Sequence, residues 1–75
     1  MLYKLDLHRL NYEDAARSVI RFIEDHWDDG SELEIITGNS DKMKAIVLDV
    51  LNEYKLSYII GREFDLNKGY VFTWT

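Results

Sequence analysis

Residues 2–8 alternate along the chain. Tyr3, Leu5 and Leu7 fall on one side and Lys4, Asp6 and His8 on the other, the period-two pattern of a half-buried strand. The spacing then lengthens. Tyr12, Ala16, Val19, Ile20, Ile23 and Trp27 recur at helical intervals and predict a helix with that stripe, Trp27 included, in the core. Asn11 is placed to cap it, with Glu13 and Asp14 in the first turn, where negative charge suits the helix dipole. Gly30 supplies the stop. "ELEIIT", 32–37, reads as a second strand, and "GNSDK" leads into a second helix from about Asp41 to Tyr54, with Met43, Ile46, Val47, Val50, Leu51 and Tyr54 facing inward. "LSYIIGREF", 56–64, predicts a third strand, "DLNKG" a turn with Gly69 suited to positive φ, and "YVFTWT" a fourth strand paired with the third as a hairpin.

The order is therefore β-α-β-α-β-β. Helices between strands impose right-handed crossovers between parallel strands, and crossovers moving in one direction leave both helices on one face. The expected fold is an α/β two-layer sandwich with a mixed four-stranded sheet. With 75 residues, no proline and no repeat or low-complexity tract, residues 1–75 read as one domain. A domain this small buries only about 60% of its unfolded surface, so its stability should be modest and sensitive to core truncation.

Composition narrows the chemistry. There is no cysteine, which excludes disulfides and thiolate metal sites. The longest apolar run, "AIVL" at 45–48, is far too short to span a bilayer. Met1 leads into a strand-like stretch with no basic-then-apolar leader, so the expectation is a cytoplasmic protein without membrane contact. A net charge of −5 argues against a surface coated in positive potential but leaves room for a local basic patch.

Parallel neighbouring strands place their C-terminal ends side by side. Asp6 and His8 would then meet Thr37 and Gly38 at one edge of the sheet, where open α/β sheets usually bind ligands. "TGNSDK" opens a helix, whose unpaired N–H groups favour a phosphate. Gly38 permits close backbone approach, and Ser40 offers a hydroxyl. Lys4, Arg9, Lys42 and Lys44, four of the nine basic residues, gather around this edge. A carboxylate and an imidazole beside an anion site suggest phosphodiester hydrolysis: Asp6 holds a divalent metal or orients His8, and His8 acts as general base or acid. Their α-carbons should lie about 6.5–7 Å apart, so both reach one substrate.

Each residue also has a plainer account. Asp6 could brace the loop after the first strand. Asn, Ser and Asp before a helix are caps whether or not a ligand binds. His26, within "EDHWDD", could join Glu24, Asp25 or Asp29 at a metal, but a solvated helix end explains it better. Tyr70, Phe72 and Trp74 could stack on bases; alternate aromatics on a strand more often pack.

"LDLHRLNYEDA" resembles the "LDLHG" opening of Smr (small MutS-related) domains, and "IITGNS" resembles that family's second motif, commonly HGxG or TGxG. "KGYVFTWT", with its glycine before an apolar strand, also fits, so the resemblance spans essentially the whole chain. It implies a fold like the C-terminal domain of bacterial translation initiation factor three. It also implies DNA or RNA binding, often with endonuclease or nicking activity stimulated by Mg²⁺ or Mn²⁺. Asp6, Leu7 and His8 match the first motif, and Thr37 and Gly38 the second. Arg9 replaces the glycine after the histidine, Asn39 stands where Lys or Arg is common, Ser40 replaces the last glycine, and Thr37 leaves the second motif without a histidine. Two readings follow. One is a metal-dependent endonuclease with Asp6 and His8 catalytic, and with Lys4, Arg9, Thr37, Gly38, Asn39, Ser40, Lys42 and Lys44 holding nucleic acid. The other is a non-enzymatic module that binds nucleic acid or a protein partner through the same edge or the open sheet face.

Overall fold

A computed structural model describes residues 2–61 and 69–75. Its elements are β1 (Leu2–Asp6), α1 (Tyr12–Asp25), β2 (Glu32–Ile36), α2 (Asp41–Glu53), β3 (Tyr58–Ile60) and β4 (Tyr70–Trp74). The strands form one mixed sheet in the order β1-β2-β4-β3. β1 lies parallel to β2, while β4 is antiparallel to both β2 and β3. The expected α/β two-layer sandwich with a mixed four-stranded sheet is thus the observed one. The β3–β4 hairpin inserts its second strand beside β2, so β2 and β3 run in the same direction without touching.

The sheet's pleat divides the side chains. Tyr3, Leu5, Leu33, Ile35, Val71 and Thr73 share the face covered by α1 and α2, which pack against each other. Leu7, Val19, Ile23, Leu33, Ile35, Val47, Leu51 and Val71 are fully buried there. Removing each such side chain from water contributes about 1.5–3 kcal/mol. Lys4, Asp6, Glu34 and Phe72 point to the other face.

Several elements depart from the sequence expectation. β1 stops at Asp6, and His8 lies in the turn that follows. The Asp6 carboxylate accepts the His8 backbone N–H at 3.1 Å, which curls the chain out of the ladder one residue after Leu7 donates to the Ile36 carbonyl. The buried stripe of α1 is Ala15, Val19 and Ile23; Ala16 is only half-buried. Tyr12 and Trp27, both expected in the core, are 43% and 51% exposed. Tyr12 opens the helix at its free end, and Trp27 lies beyond the cap His26, where helical spacing no longer applies. On α2, Met43, Val47, Val50 and Leu51 are buried, while Ile46 and Tyr54 are half-buried. Of the strand expected at 56–64, Tyr58–Ile60 is observed as β3; its residues 62–64, and 65–68 of the turn, lie outside the described residues.

The helix ends explain themselves locally. Asn11 caps α1 by accepting the Asp14 N–H at 2.8 Å. α1 closes on His26, with the left-handed position taken by Asp28 (φ 56°) ahead of Gly30. α2 closes through Lys55 (φ 58°): the Leu56 N–H reaches the Leu51 carbonyl and the Lys55 N–H the Asn52 carbonyl. That double bond pattern usually places glycine at the left-handed residue, and no glycine marks it here.

Candidate nucleic-acid interface

The ends of β1 and β2 meet, as parallel pairing requires. A Cβ placed on Gly38 would lie 3.6 Å from the Cβ of His8, so the two loops touch although roughly 30 residues separate them in sequence. Gly38 has φ +66°, which a side chain rarely adopts. Its conformation is pinned from β4: the Gly69 carbonyl accepts the N–H groups of both Thr37 and Gly38, at 2.8 and 2.9 Å. Thr37 is buried, and its hydroxyl donates to the Gly38 carbonyl at 3.0 Å, so its side chain shapes the turn from within.

Asp6 and His8 form a pair open to water. His8 Nδ1 lies 2.5 Å from Asp6 Oδ1, and the two side chains are 47% and 52% exposed, respectively. The Arg9 Nε–H donates to His8 Nε2 at 3.3 Å. Nε2 is then the unprotonated nitrogen of a neutral ring, and Nδ1 donates its proton to Asp6. The hydrogen bond from the His8 ring, and next that from its backbone N–H, hold the Asp6 carboxyl below its usual range against a smaller opposing effect of burial, and the charge of Arg9 adds a lesser lowering. A carboxylate that orients an imidazole, whose outer nitrogen carries a lone pair, can accept a proton from water or hydroxyl at that nitrogen.

Around this pair stand the start of α2 and its cations. Ser40 caps α2: its hydroxyl accepts the Met43 N–H at 3.1 Å and its carbonyl accepts the Lys44 N–H. Asn39 is exposed beside it. Lys42 reaches across to α1, with Nζ 4.5 Å from the centre of the Tyr12 ring. Lys44 is half-buried on the first turn of α2. Lys4 shares the open face with Asp6 and lies 3.8 Å from Glu34, which partly neutralises it. The fold thus brings Asp6, His8, Arg9 and Gly38 into one cluster, and sets Asn39, Ser40, Lys42 and Lys44 along the adjoining loop and helix.

Two contributors escape a sequence reading. Gly69, the residue before β4, fixes the second loop from a segment far away in sequence, and only the sheet order reveals that. Tyr12 reads as part of an apolar stripe; its place one residue after the cap was the available sign that it could stand clear of the core. Tyr70 is buried, Phe72 half-buried and Trp74 40% exposed, so packing accounts for the first better than for the last. His26 is not a solvated helix end: its ring stacks on Tyr3 with centroids 3.8 Å apart and meets the edge of Phe22. Among the described residues, no group of three His, Cys, Asp or Glu side chains converges to hold a metal ion jointly.

No curated protein and no solved structure matches this sequence. The Smr domain family matches residues 5–64, a span that begins just before Asp6 and His8, includes Gly38 and both helices, and covers most of the chain. The chain belongs to the Smr domain family.

Proposed function

We propose that this protein binds DNA or RNA through the rim formed by the ends of β1 and β2. The observation that carries this reading is the contact of Gly38 with His8: it joins two polar loops into one surface, with Arg9 in the first and Lys42 and Lys44 on the helical turn that follows the second. Phosphates are held there by the cations and by the polar groups of Asn39 and Ser40. Family membership supports the choice of nucleic acid over other anions. A backbone like that of the C-terminal domain of translation initiation factor three, a cytoplasmic setting and an additional protein partner belong to the same proposal. No helix among the described residues is long and apolar enough to cross a membrane.

Binding measured by fluorescence anisotropy tests this reading. The affinity should fall steeply with salt, and Lys42→Glu or Lys44→Glu should weaken it severalfold. Affinity indifferent to salt and to both substitutions leaves the rim without a role in nucleic-acid binding.

The 2.5 Å contact between Asp6 and His8 favours a second reading, phosphodiester cleavage at the same place. His8 Nε2 takes a proton from the attacking oxygen once Arg9 turns to the phosphate, Asp6 stabilises the resulting imidazolium, and as the opposite P–O bond breaks the departing oxygen takes a proton from the imidazolium or from water. A magnesium or manganese ion at Asp6 would draw most of its oxygen ligands from water and the phosphate, and would neutralise phosphate charge. Asp6→Ala and His8→Ala should then abolish cleavage of supercoiled DNA or RNA, with and without Mn²⁺, while the protein stays folded. Equal cutting by wild type and both variants defeats the catalytic role.

A further inference from the structure

Tyr12 is an exposed aromatic at the rim. It opens α1, the residue is 43% exposed, and Lys42 lies over its ring at 4.5 Å. Two contacts therefore join the segments that follow β1 and β2: His8 with Gly38 between the loops, and Tyr12 with Lys42 between the first turns of α1 and α2. Tyr12 is four residues beyond His8, so their α-carbons are at most about 15 Å apart. Leu10, between them, is also exposed. The rim thus carries the polar Asp6–His8 dyad with Arg9 at its side, and an exposed aromatic and an exposed leucine next to it.

We propose that Tyr12 is a stacking platform for an unpaired base and makes the rim select single-stranded over duplex nucleic acid. The inference rests on the nucleic-acid-binding reading above. Stacking of a base on an aromatic side chain raises affinity about five- to hundredfold, whereas an exposed cation–π contact is worth about two- to fivefold. A base on the Tyr12 ring can therefore displace Lys42 or share the ring with it, and Lys42 finds a new counter-charge in the adjoining phosphate. Duplex bases already stack on one another and offer no face without being unpaired, which has its own cost. The cations serve either form of nucleic acid; the ring serves only the unpaired one.

Anisotropy titrations of the whole chain with single-stranded and duplex oligonucleotides of equal length, at one salt concentration, test this. Wild type should bind the single strand more tightly. Tyr12→Ala should weaken single-strand binding about tenfold and duplex binding less than twofold; Tyr12→Phe should behave as wild type, and Lys42→Glu should weaken both. Circular dichroism of each variant checks that the fold is kept. Equal affinity for the two forms, or a Tyr12→Ala loss that is absent or the same for both, overturns the inference. If Lys42→Glu still weakens binding in that case, nucleic-acid binding at the rim stands without it. If folded wild type binds neither form, both fall together.

Discussion

Two histidine–aspartate pairs occupy opposite ends of the sheet, and they are built for different work. At the rim, His8 and Asp6 lie 2.5 Å apart with about half of each side chain in water. No ring stacks on His8 among the described residues. At the other end, His26 and Asp29 stand 3.6 Å apart, with His26 only 20% exposed. His26 is stacked on Tyr3 of β1 and edged by Phe22 of α1, and its carbonyl accepts the Thr75 hydroxyl at 2.8 Å. His26 ties β1, α1 and the chain's last residue together. His8 contacts its neighbours in sequence and one glycine across the sheet. Residue type alone would rank the two pairs alike; what surrounds each ring separates a structural histidine from one left open to a ligand.

The largest effect should come from removing each ring. His26→Ala loses a stacked and an edge-on aromatic contact, together worth about 2 kcal/mol beyond the buried area, so the melting temperature should fall by about 10 °C. His8→Ala should stay within about 0.5 kcal/mol of wild type, because few tertiary contacts depend on it. Urea denaturation of the two variants measures both. Equal losses would mean that the rim histidine also supports the fold and that the contrast is false.

The glycines of the two ends sharpen the contrast. Gly38 and Gly30 both have positive φ, +66° and +75°. A Cβ on Gly30 would meet nothing within 4 Å, whereas one on Gly38 would rest 3.6 Å from His8, an ordinary contact. Alanine at either position should therefore cost about 1 kcal/mol through backbone strain alone. Only Gly38→Ala should shift the His8 ring signals in an NMR spectrum and alter nucleic-acid affinity. Comparable changes from Gly30→Ala would remove the reason to single out the Gly38 loop.

Much of this arrangement was legible in the sequence because it depends on local periodicity. Alternation over residues 2–8, caps before both helices and a glycine after the second strand were enough to put Asp6, His8 and Gly38 at one edge. What escaped depends on contacts between distant segments. Nothing near His26 in sequence announces that Tyr3 will stack on it. The Gly69 carbonyl can hold Thr37 and Gly38 only because β4 inserts beside β2. Periodicity misplaces the α1 stripe at its ends, where Tyr12 and Trp27 continue an apolar count past the surface that the sheet offers for packing. Ala15 rather than Ala16 is the buried one for a related reason: two adjacent alanines give periodicity no means of choosing which one faces the core.

The smallest effect should appear in acid. Asp6 is held below the ordinary carboxylate value of 3.8 by the His8 ring and then its backbone N–H. Asp29 is held below it by hydrogen bonding from Ser31, side chain first, against some burial, with lesser help from the Ser31 backbone N–H and from His26. Each folded-state value lies below the unfolded one, so each carboxylate's stabilisation is complete above the unfolded value and is lost as pH falls through the folded one. Stability plotted against pH should therefore bend downward below about pH 4. Asp6→Asn and Asp29→Asn should each flatten that bend a little. The strand between them spans more than about 13 Å, so the double variant should flatten it by the sum of the two. A bend that survives the double substitution would assign acid sensitivity to other carboxylates. A non-additive result would mean that the two ends, so different in packing, nonetheless communicate through the sheet.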